Sequence, residues 1–317
     1  MKTVSMLIPV LLISLCLTGC AHLQRLFQPP KDRLPPSSIP TQPTLEQITS
    51  VINQNSQSIR NLTTENATVY MPGLITPLHT RLTFERPKRL RIQGFFTTLS
   101  GQEFDFGSND EIFWLWTRNR GSGSNEMWYC RHDLYPESPV RSAITIDPDW
   151  LIEALGIVEF KQTDQHLGPT KMADGNWEIT SYRQTLSGLF IKRTVIDSKV
   201  GRVMRQELFT PQGELIALAE SGDWRVDRGT NIVYAKKVTV RCQGMDGKMT
   251  IDLGSPTFNS SVPLPSTMFV MPTFEGYRAV DLSSPAFLHP RGVIMPTQMI
   301  DATGVPVPQA NMQTVIR

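Results

Sequence analysis

A chain of 317 residues with a formal net charge of +2 has material for one large domain or two ordinary ones, and its 40% apolar content is enough for a sizeable core. Charged residues make up 19%, the share of an ordinary globular protein rather than a disordered one. The near balance of charge argues against the basic stripe that neutralises phosphates, so no nucleic-acid partner is expected.

Lys2 precedes an apolar run from Val4 to Leu17 that is interrupted by Ser5, Pro9 and Ser14. The run is too short to span a bilayer. One cation, a short apolar stretch and small residues behind it describe a secretory signal peptide over 1–19. "LTGC" at 17–20 resembles the bacterial lipobox: an aliphatic residue, two small ones, then cysteine. That resemblance implies cleavage between Gly19 and Cys20, with lipid attached to the Cys20 sulfur and the chain held at a membrane through it. Two or more acyl chains anchor a protein stably where one does not. Residue 21 is Ala rather than the Asp of an inner-membrane retention signal. The expected location is therefore the bacterial outer membrane, facing the periplasm. Residues 20–43 read as the lipidated cysteine and a Pro-rich spacer, because "QPPKDRLPPSSIPTQP" favours extended polyproline conformation.

The folded part is expected over 44–282. Thr44 and Gln47 have the spacing of a capping box, and Leu45, Ile48, Ile52, Ile59 and Leu62 recur at helical spacing, which predicts an amphipathic helix over about 44–61. Strand-like segments follow. "TRLTFE" places Leu82 and Phe84 on one face, "LRIQGFF" does the same with Leu90 and Ile92, and "EIFWLWT" is apolar on both faces. "WYCRHD", "NWEITSY", "LFIKRTVID", "RVMRQELFT", "ELIALAES", "NIVYAKKVTVRC" and "KMTIDLG" continue the series. They are joined by the turn sequences "ADGN", "TPQG" and "GMDGK", so an antiparallel meander is expected. "DPDWLIEALG" interrupts it as a short helix, with Asp147 as N-cap, Pro148 at the first position and Gly156 as stop. Trp150, Leu151, Ile152, Ala154 and Leu155 make it apolar nearly all round, so it is either wedged in a core or covers an apolar hollow. Residues 283–317 are Pro-rich, lack periodicity and read as an irregular tail.

Patterns that carry catalysis are not evident. His22, His79, His132, His166 and His289 are scattered, and none stands at metal-ligand spacing. "RGSGSNE" is a hairpin loop rather than a nucleophile elbow, and "CRHD" reads as a solvated strand edge. No catalytic residue, metal or cofactor is expected, and the chain is not expected to be an enzyme. Cys130 and Cys242 remain once the signal and the lipid site are set aside. A disulfide between them and two unpaired core thiols both stay open.

Phe95, Phe96, Phe104, Phe106, Phe113, Trp114, Trp116, Trp128 and Tyr129 fall within 35 residues, either as core or as the lining of a concave face that holds acyl chains. "LTFERPKRLRIQGF", "SNDEIFWLWT", "SKVGRVMRQELFTPQGELI" and "TMFVMP" resemble the LolA/LolB lipoprotein-localisation family over about 44–282. The resemblance implies a mainly β (α+β) fold: an unclosed antiparallel β-barrel of about ten or eleven strands, with helices lidding the concave face. It implies acyl chains or client lipoproteins as partners, bound in a hydrophobic cavity. Candidate acyl contacts are Phe84, Leu90, Ile92, Trp114, Trp116, Trp150, Leu151 and Leu155. Arg86, at the Arg-Pro pair, stands where the carrier's lid-contacting arginine stands, and "MPGLITPLH" is the candidate counterpart of the receptor's protruding loop. Leu90 takes a position that is aromatic in the carrier. A sensory or interaction module on the same fold is the alternative role.

Overall fold

The computed structural model describes residues 34–97, 100–119, 125–135, 148–185, 188–243 and 245–284. Of the N-terminal unit Met1–Pro35 only residues 34 and 35 are described, and they carry no regular structure. Residues 1–33 with Cys20, Asp147 and residues 285–317 lie outside the described residues. All helices and strands below belong to the unit that begins at Pro36.

Helix α1 spans Leu45–Ser58, and its capping box forms. The Gln47 amide donates to the Thr44 hydroxyl at 3.2 Å, and the Thr44 amide donates to Gln47 Oε1 at 2.9 Å. The helix buries Ile48, Ile52 and Ser56, one stripe at a spacing of four. It stops at Ser58 rather than near 61, because Ile59 turns extended and the next residues pair as a strand. Leu62 is thus a strand residue and not part of the helical stripe. Ordered packing also starts before Thr44, since Ile39 is buried beside Trp177 and Ile196.

Among the described residues fifteen strands follow, more than the ten or eleven expected: β1 (Asn61–Tyr70), β2 (Leu78–Glu85), β3 (Arg89–Phe95), β4 (Gln102–Ser108), β5 (Ile112–Thr117), β6 (Glu126–Arg131), β7 (Gln165–Lys171), β8 (Trp177–Thr185), β9 (Gly188–Asp197), β10 (Arg202–Phe209), β11 (Leu215–Val226), β12 (Val233–Cys242), β13 (Met249–Asp252), β14 (Thr257–Phe258) and β15 (Arg278–Asp281). The excess is β1, β4, β7 and the short β14 and β15. Strand β1 escapes its sequence pattern because a bulge between Thr64 and Ala67 breaks the alternation. With the bulge counted, Leu62, Thr64, Ala67 and Val69 all turn inward.

The strands form one open sheet in the order β15-β6-β5-β4-β3-β2-β1-β13-β12-β11-β10-β9-β8-β7, with β14 on β1. Pairing is antiparallel throughout except at β15, which lies parallel to β6. The sheet is unclosed: β15 and β7 are its two ends.

One face of the sheet is covered by helices. Helix α2 (Pro148–Ala154) ends in a Schellman arrangement. The Ile157 amide reaches the Ile152 carbonyl at 3.3 Å, the Gly156 amide reaches Glu153 at 2.9 Å, and Gly156 takes φ +94°. All its residues but Asp149 are buried, so it is wedged into the core. Leu151, Ile152 and Leu155 pack with Leu62, Leu82, Phe84, Leu90, Ile92 and Ile251. Trp150 and Ala154 pack on Ala217, Ala219, Val238 and Val240. Helix α1 sets Ile48 and Ile52 on Trp177, Ile179, Ile196 and Val203. Each of these large side chains contributes about 1.5–3 kcal/mol by leaving water.

The opposite face is covered over β3–β6 by the chain's own segment 265–282. Trp116 stacks on Phe274 with centroids 3.7 Å apart, and the Asn119 amide donates to the Tyr277 hydroxyl at 2.7 Å. Arg91 Nη1 donates to the Met268 carbonyl at 2.9 Å. This explains why "EIFWLWT" is apolar on both sides: Phe113 faces one layer, Trp114 and Trp116 the other.

Two glycines make room for cross-strand aromatics. Phe104 lies over Gly94 and Trp114 over Gly107. A Cβ on Gly107 would come 2.0 Å from Trp114 Cζ2, inside a fully buried indole. Gly107→Ala is therefore expected to lower the unfolding free energy by about 1–3 kcal/mol in a denaturant melt. Gly222→Ala, where nothing lies within 4 Å, is expected to change it little.

Candidate functional site

The seam between the helices and the sheet is the place to look for a ligand. A narrow cleft lies there, with about 20 Å³ of free space, room for roughly one water. Ile52, Asn55, Ser56 and Ile59 of α1 and its end, Leu155–Ile157 after α2, and Leu62, Val233, Leu253 and Phe258 of the sheet side line it. Arg202, Val203, Trp224, Tyr234 and Ala235 complete the wall. Elsewhere on that face the side chains of the cover pack against the sheet.

Arg86 ties the cover down. Its Nε donates to the Ile59 carbonyl at 2.8 Å and its Nη2 to the Ser56 carbonyl at 2.6 Å. Both lie at the C-terminal end of α1, where the Ser56 carbonyl also accepts the Ile59 amide at 3.1 Å, and a cation there suits the helix dipole. Its Nη1 reaches Glu159 Oε1 at 2.6 Å, on the segment that follows α2. One guanidinium thus joins the β2–β3 turn, the end of α1 and the chain leaving α2. The pair is partly buried, and the helix that supplies its acceptors is fixed at its other end by the capping box.

The candidate acyl contacts fall into two groups. Phe84, Leu90, Ile92, Leu151 and Leu155 meet in one cluster on the helix-covered face, with Trp150 beside them in the adjoining cluster. Trp114 and Trp116 point to the other face, because the β4–β5 register pairs them with Gly107 and Asp105, not with the inward Phe106 and Ser108. The two tryptophans therefore cannot line the same space as Phe84 and Leu90. Trp114 instead donates from Nε1 to Asp105 Oδ1 at 2.9 Å, a buried carboxylate that also receives Arg91 at 2.9 Å and Gln102 at 2.7 Å. Of the eight residues, Leu155 alone borders the cleft.

Cys130 and Cys242 are free thiols. A disulfide between them is ruled out by their places: six strands stand between β6 and β12 in the sheet order. Burial pushes the Cys130 thiol up to about 11 and the Cys242 thiol up to about 12. In "CRHD", Arg131 and Asp133 form an exposed pair at 2.7 Å, while His132 is half-buried and its pKa is lowered, by burial first and by Lys88 second. In "MPGLITPLH", Ile75 is 80% exposed and is the apolar residue that the β1–β2 loop presents to solvent.

Sequence reasoning missed a buried ionic network under α2. Glu153 sits within that apolar helix and is 4% exposed. Its carboxylate receives Lys192 at 2.7 Å and Arg183 at 3.2 Å, and Arg183 also reaches Asp164 at 2.9 Å. Gln206 Nε2 donates to the Glu153 carbonyl at 2.9 Å. Charge within the quartet balances, two cations against two carboxylates. The available signal was a lone glutamate in "WLIEAL" facing a lysine in the strand "LFIKRTVID". Burial opposes ionisation of Glu153, but Lys192 and Arg183 outweigh it and hold its pKa below 4.5.

No family model matches this chain, and no curated protein matches it in sequence. Among solved structures it is similar to a DUF1329 family protein from Desulfovibrio piger, at 12% identity and a TM-score of 0.44 over 71% of this chain and 96% of that one. It is similar to a putative outer membrane lipoprotein-sorting protein domain from Vibrio parahaemolyticus, at 10% identity and 0.43 over 72% and 97%. A LolA superfamily protein from Nitrosomonas europaea is similar at 9% identity and 0.42, over 70% and 97%. With TM-scores below 0.5, none of these likenesses identifies the site.

The network sets a pH dependence. The folded pKa of Glu153 is lower than its unfolded one, so its contribution is complete above about pH 4.5 and is lost as pH falls through the folded value. Glu153→Gln leaves Lys192 and Arg183 buried without their shared carboxylate and is expected to cost about 3–5 kcal/mol at pH 7. The variant's stability loss should shrink as the medium is acidified from pH 5 to pH 2, measured by urea melts at each pH.

Proposed function

We propose that this chain is a lipid-anchored protein of the bacterial envelope that takes acyl chains, free or on a client lipoprotein, between its helices and its sheet. Its place is in lipoprotein sorting or insertion at the outer membrane, and it works without a catalytic step. The observation that carries this is the helix–sheet seam: a mainly apolar cleft bordered by α1 and by Leu155–Ile157 after α2, beside an arginine whose three partners hold the end of α1 and the segment after α2. A buried apolar face under a cover held by few polar contacts suits hydrocarbon, which gains by area rather than by hydrogen bonds. The lipobox at Cys20 supports the anchor. Sixteen residues separate Cys20 from Pro36, and an extended proline-rich segment rises about 3.1 Å per residue, a reach of about 50 Å. The exposed Ile75 supports contact of the β1–β2 loop with a lipid surface or an acceptor.

Entry of an acyl chain requires the cover to move, since the cleft now holds roughly one water. The filled interior favours a second reading, in which the same fold is an interaction or sensory module and the apolar face is only core.

Photolabelling separates the two. Full-length protein in membrane vesicles is irradiated with diazirine-tagged palmitate, and the label is located by peptide mapping. Label is expected on α1 and on 155–158. Arg86→Gln weakens the closed state by at least one charge-assisted hydrogen bond, about 1.5 kcal/mol, so labelling should rise about tenfold. If Arg86→Gln lowers the melting temperature yet neither protein is labelled at the seam, the acyl reading is lost and the module reading stands.

A further inference from the structure

The cleft contains a cation with no counter-charge among the described residues. Arg202 is the first residue of β10 and borders the cleft beside Val203. Its Nη1 donates to the carbonyl of its own neighbour Gly201 at 2.8 Å. Its Nε is buried and has no acceptor among the described residues, and no carboxylate there forms an ion pair with it. Asp197, the residue opposite it on β9, is engaged elsewhere: its Oδ1 accepts from the Lys199 and Val200 amides at 2.7 and 2.9 Å to hold the turn. Burial alone lowers the pKa of Arg202, with no neighbouring anion opposing it.

The other interior cations are treated differently. Arg86 has Glu159, Arg91 has Asp105, Arg183 has Asp164 and Glu153, and Lys192 has Glu153. Buried charge is ordinarily paired because leaving water is costly without a partner. A half-buried guanidinium at the wall of this cleft thus lacks an anion among the described residues. The edge formed by Nε and Nη2 is the one that matches the two oxygens of a carboxylate or phosphate, and neither atom donates to a described residue. Around it the wall is mainly hydrocarbon, with Ile52, Leu155, Ile157, Val203, Val233 and Phe258, and carries the neutral polar side chains Asn55 and Ser56.

We infer that Arg202 is the head-group anchor of this cleft and that its ligand is a single-chain anionic amphiphile, with a carboxylate or phosphate head on Arg202 and its tail along the seam. This rests on the acyl reading above and narrows it to free anionic lipid, because acyl chains on a lipoprotein are neutral esters and amides without a charged head.

The test compares probes that differ only at the head. Full-length protein in vesicles is photolabelled in parallel with diazirine-tagged palmitic acid, the matching alkyl phosphate and the matching alcohol. The acid and the phosphate are expected to label the cleft peptides about tenfold more than the alcohol, the size of one charge-assisted contact. Arg202→Gln should bring them down to the level of the alcohol without changing alcohol labelling, and Arg202→Lys should restore part of the difference. A thermal melt of each variant shows that the fold persists. Equal labelling by acid and alcohol, unmoved by Arg202→Gln, overturns the head-group assignment and leaves the acyl reading intact. Labelling by none of the probes overturns both. Inorganic phosphate is added as competitor: if millimolar phosphate alone removes acid labelling, the site takes a free anion and the amphiphile assignment fails.

Discussion

An open sheet with one apolar face must have that face covered, and the described residues supply two helices of 14 and 7 residues to do it. Most of the structure follows from that shortage. Helix α2 is too short to be amphipathic and is wedged in with buried residues nearly all round. Helix α1 covers the β8–β10 end with two isoleucines and is held at its other end by Arg86. Segment 36–39 and the stretch after α2 fill what remains: Ile39, Val158 and Phe160 pack into the same cluster as α1. The opposite face is closed over β3–β6 by the returning segment 265–282, which leaves the helices to one side.

A cover assembled from short pieces relies on polar fasteners within an apolar layer. Arg86 fastens the end of α1 to the β2–β3 turn, and Glu153 fastens α2 to Lys192 and Arg183 of the sheet. Such contacts are geometrically demanding, and breaking one leaves a buried charge or carbonyl without a partner. They hold the cover in one place more firmly than they stabilise the fold. The narrow cleft borders Ser56 and Ile59, whose carbonyls Arg86 holds, and at its wall stands a cation that neither fastener uses.

Much of the strand series was legible because alternation is local. "TRLTFE" and "LRIQGFF" show their inward residues directly, and Phe84 and Leu90 sit opposite each other on β2 and β3. Strand β1 was not legible, since its bulge shifts the inward set by one residue. Strand β7 has no buried position to mark it. The candidate site was legible only in part. Leu151, Leu155, Phe84 and Leu90 meet as their hydrophobicity suggested, but Trp114 and Trp116 joined that list on composition, which carries no information about face.

By itself the sequence determined the features that depend on three or four neighbouring residues. The capping box of Thr44 and Gln47 and the left-handed stop at Gly156 are of this kind. Only the tertiary structure decided which face Trp114 takes, which carbonyls Arg86 reaches 27 and 30 residues away, and which cations Glu153 meets. It also decided that Cys130 and Cys242 have six strands between them and that Arg202 stands at a mainly apolar cleft with no carboxylate partner among the described residues. The reason is register: a one-residue slip turns a side chain to the other face of a sheet, and long-range pairing sets the register where turns and bulges allow more than one.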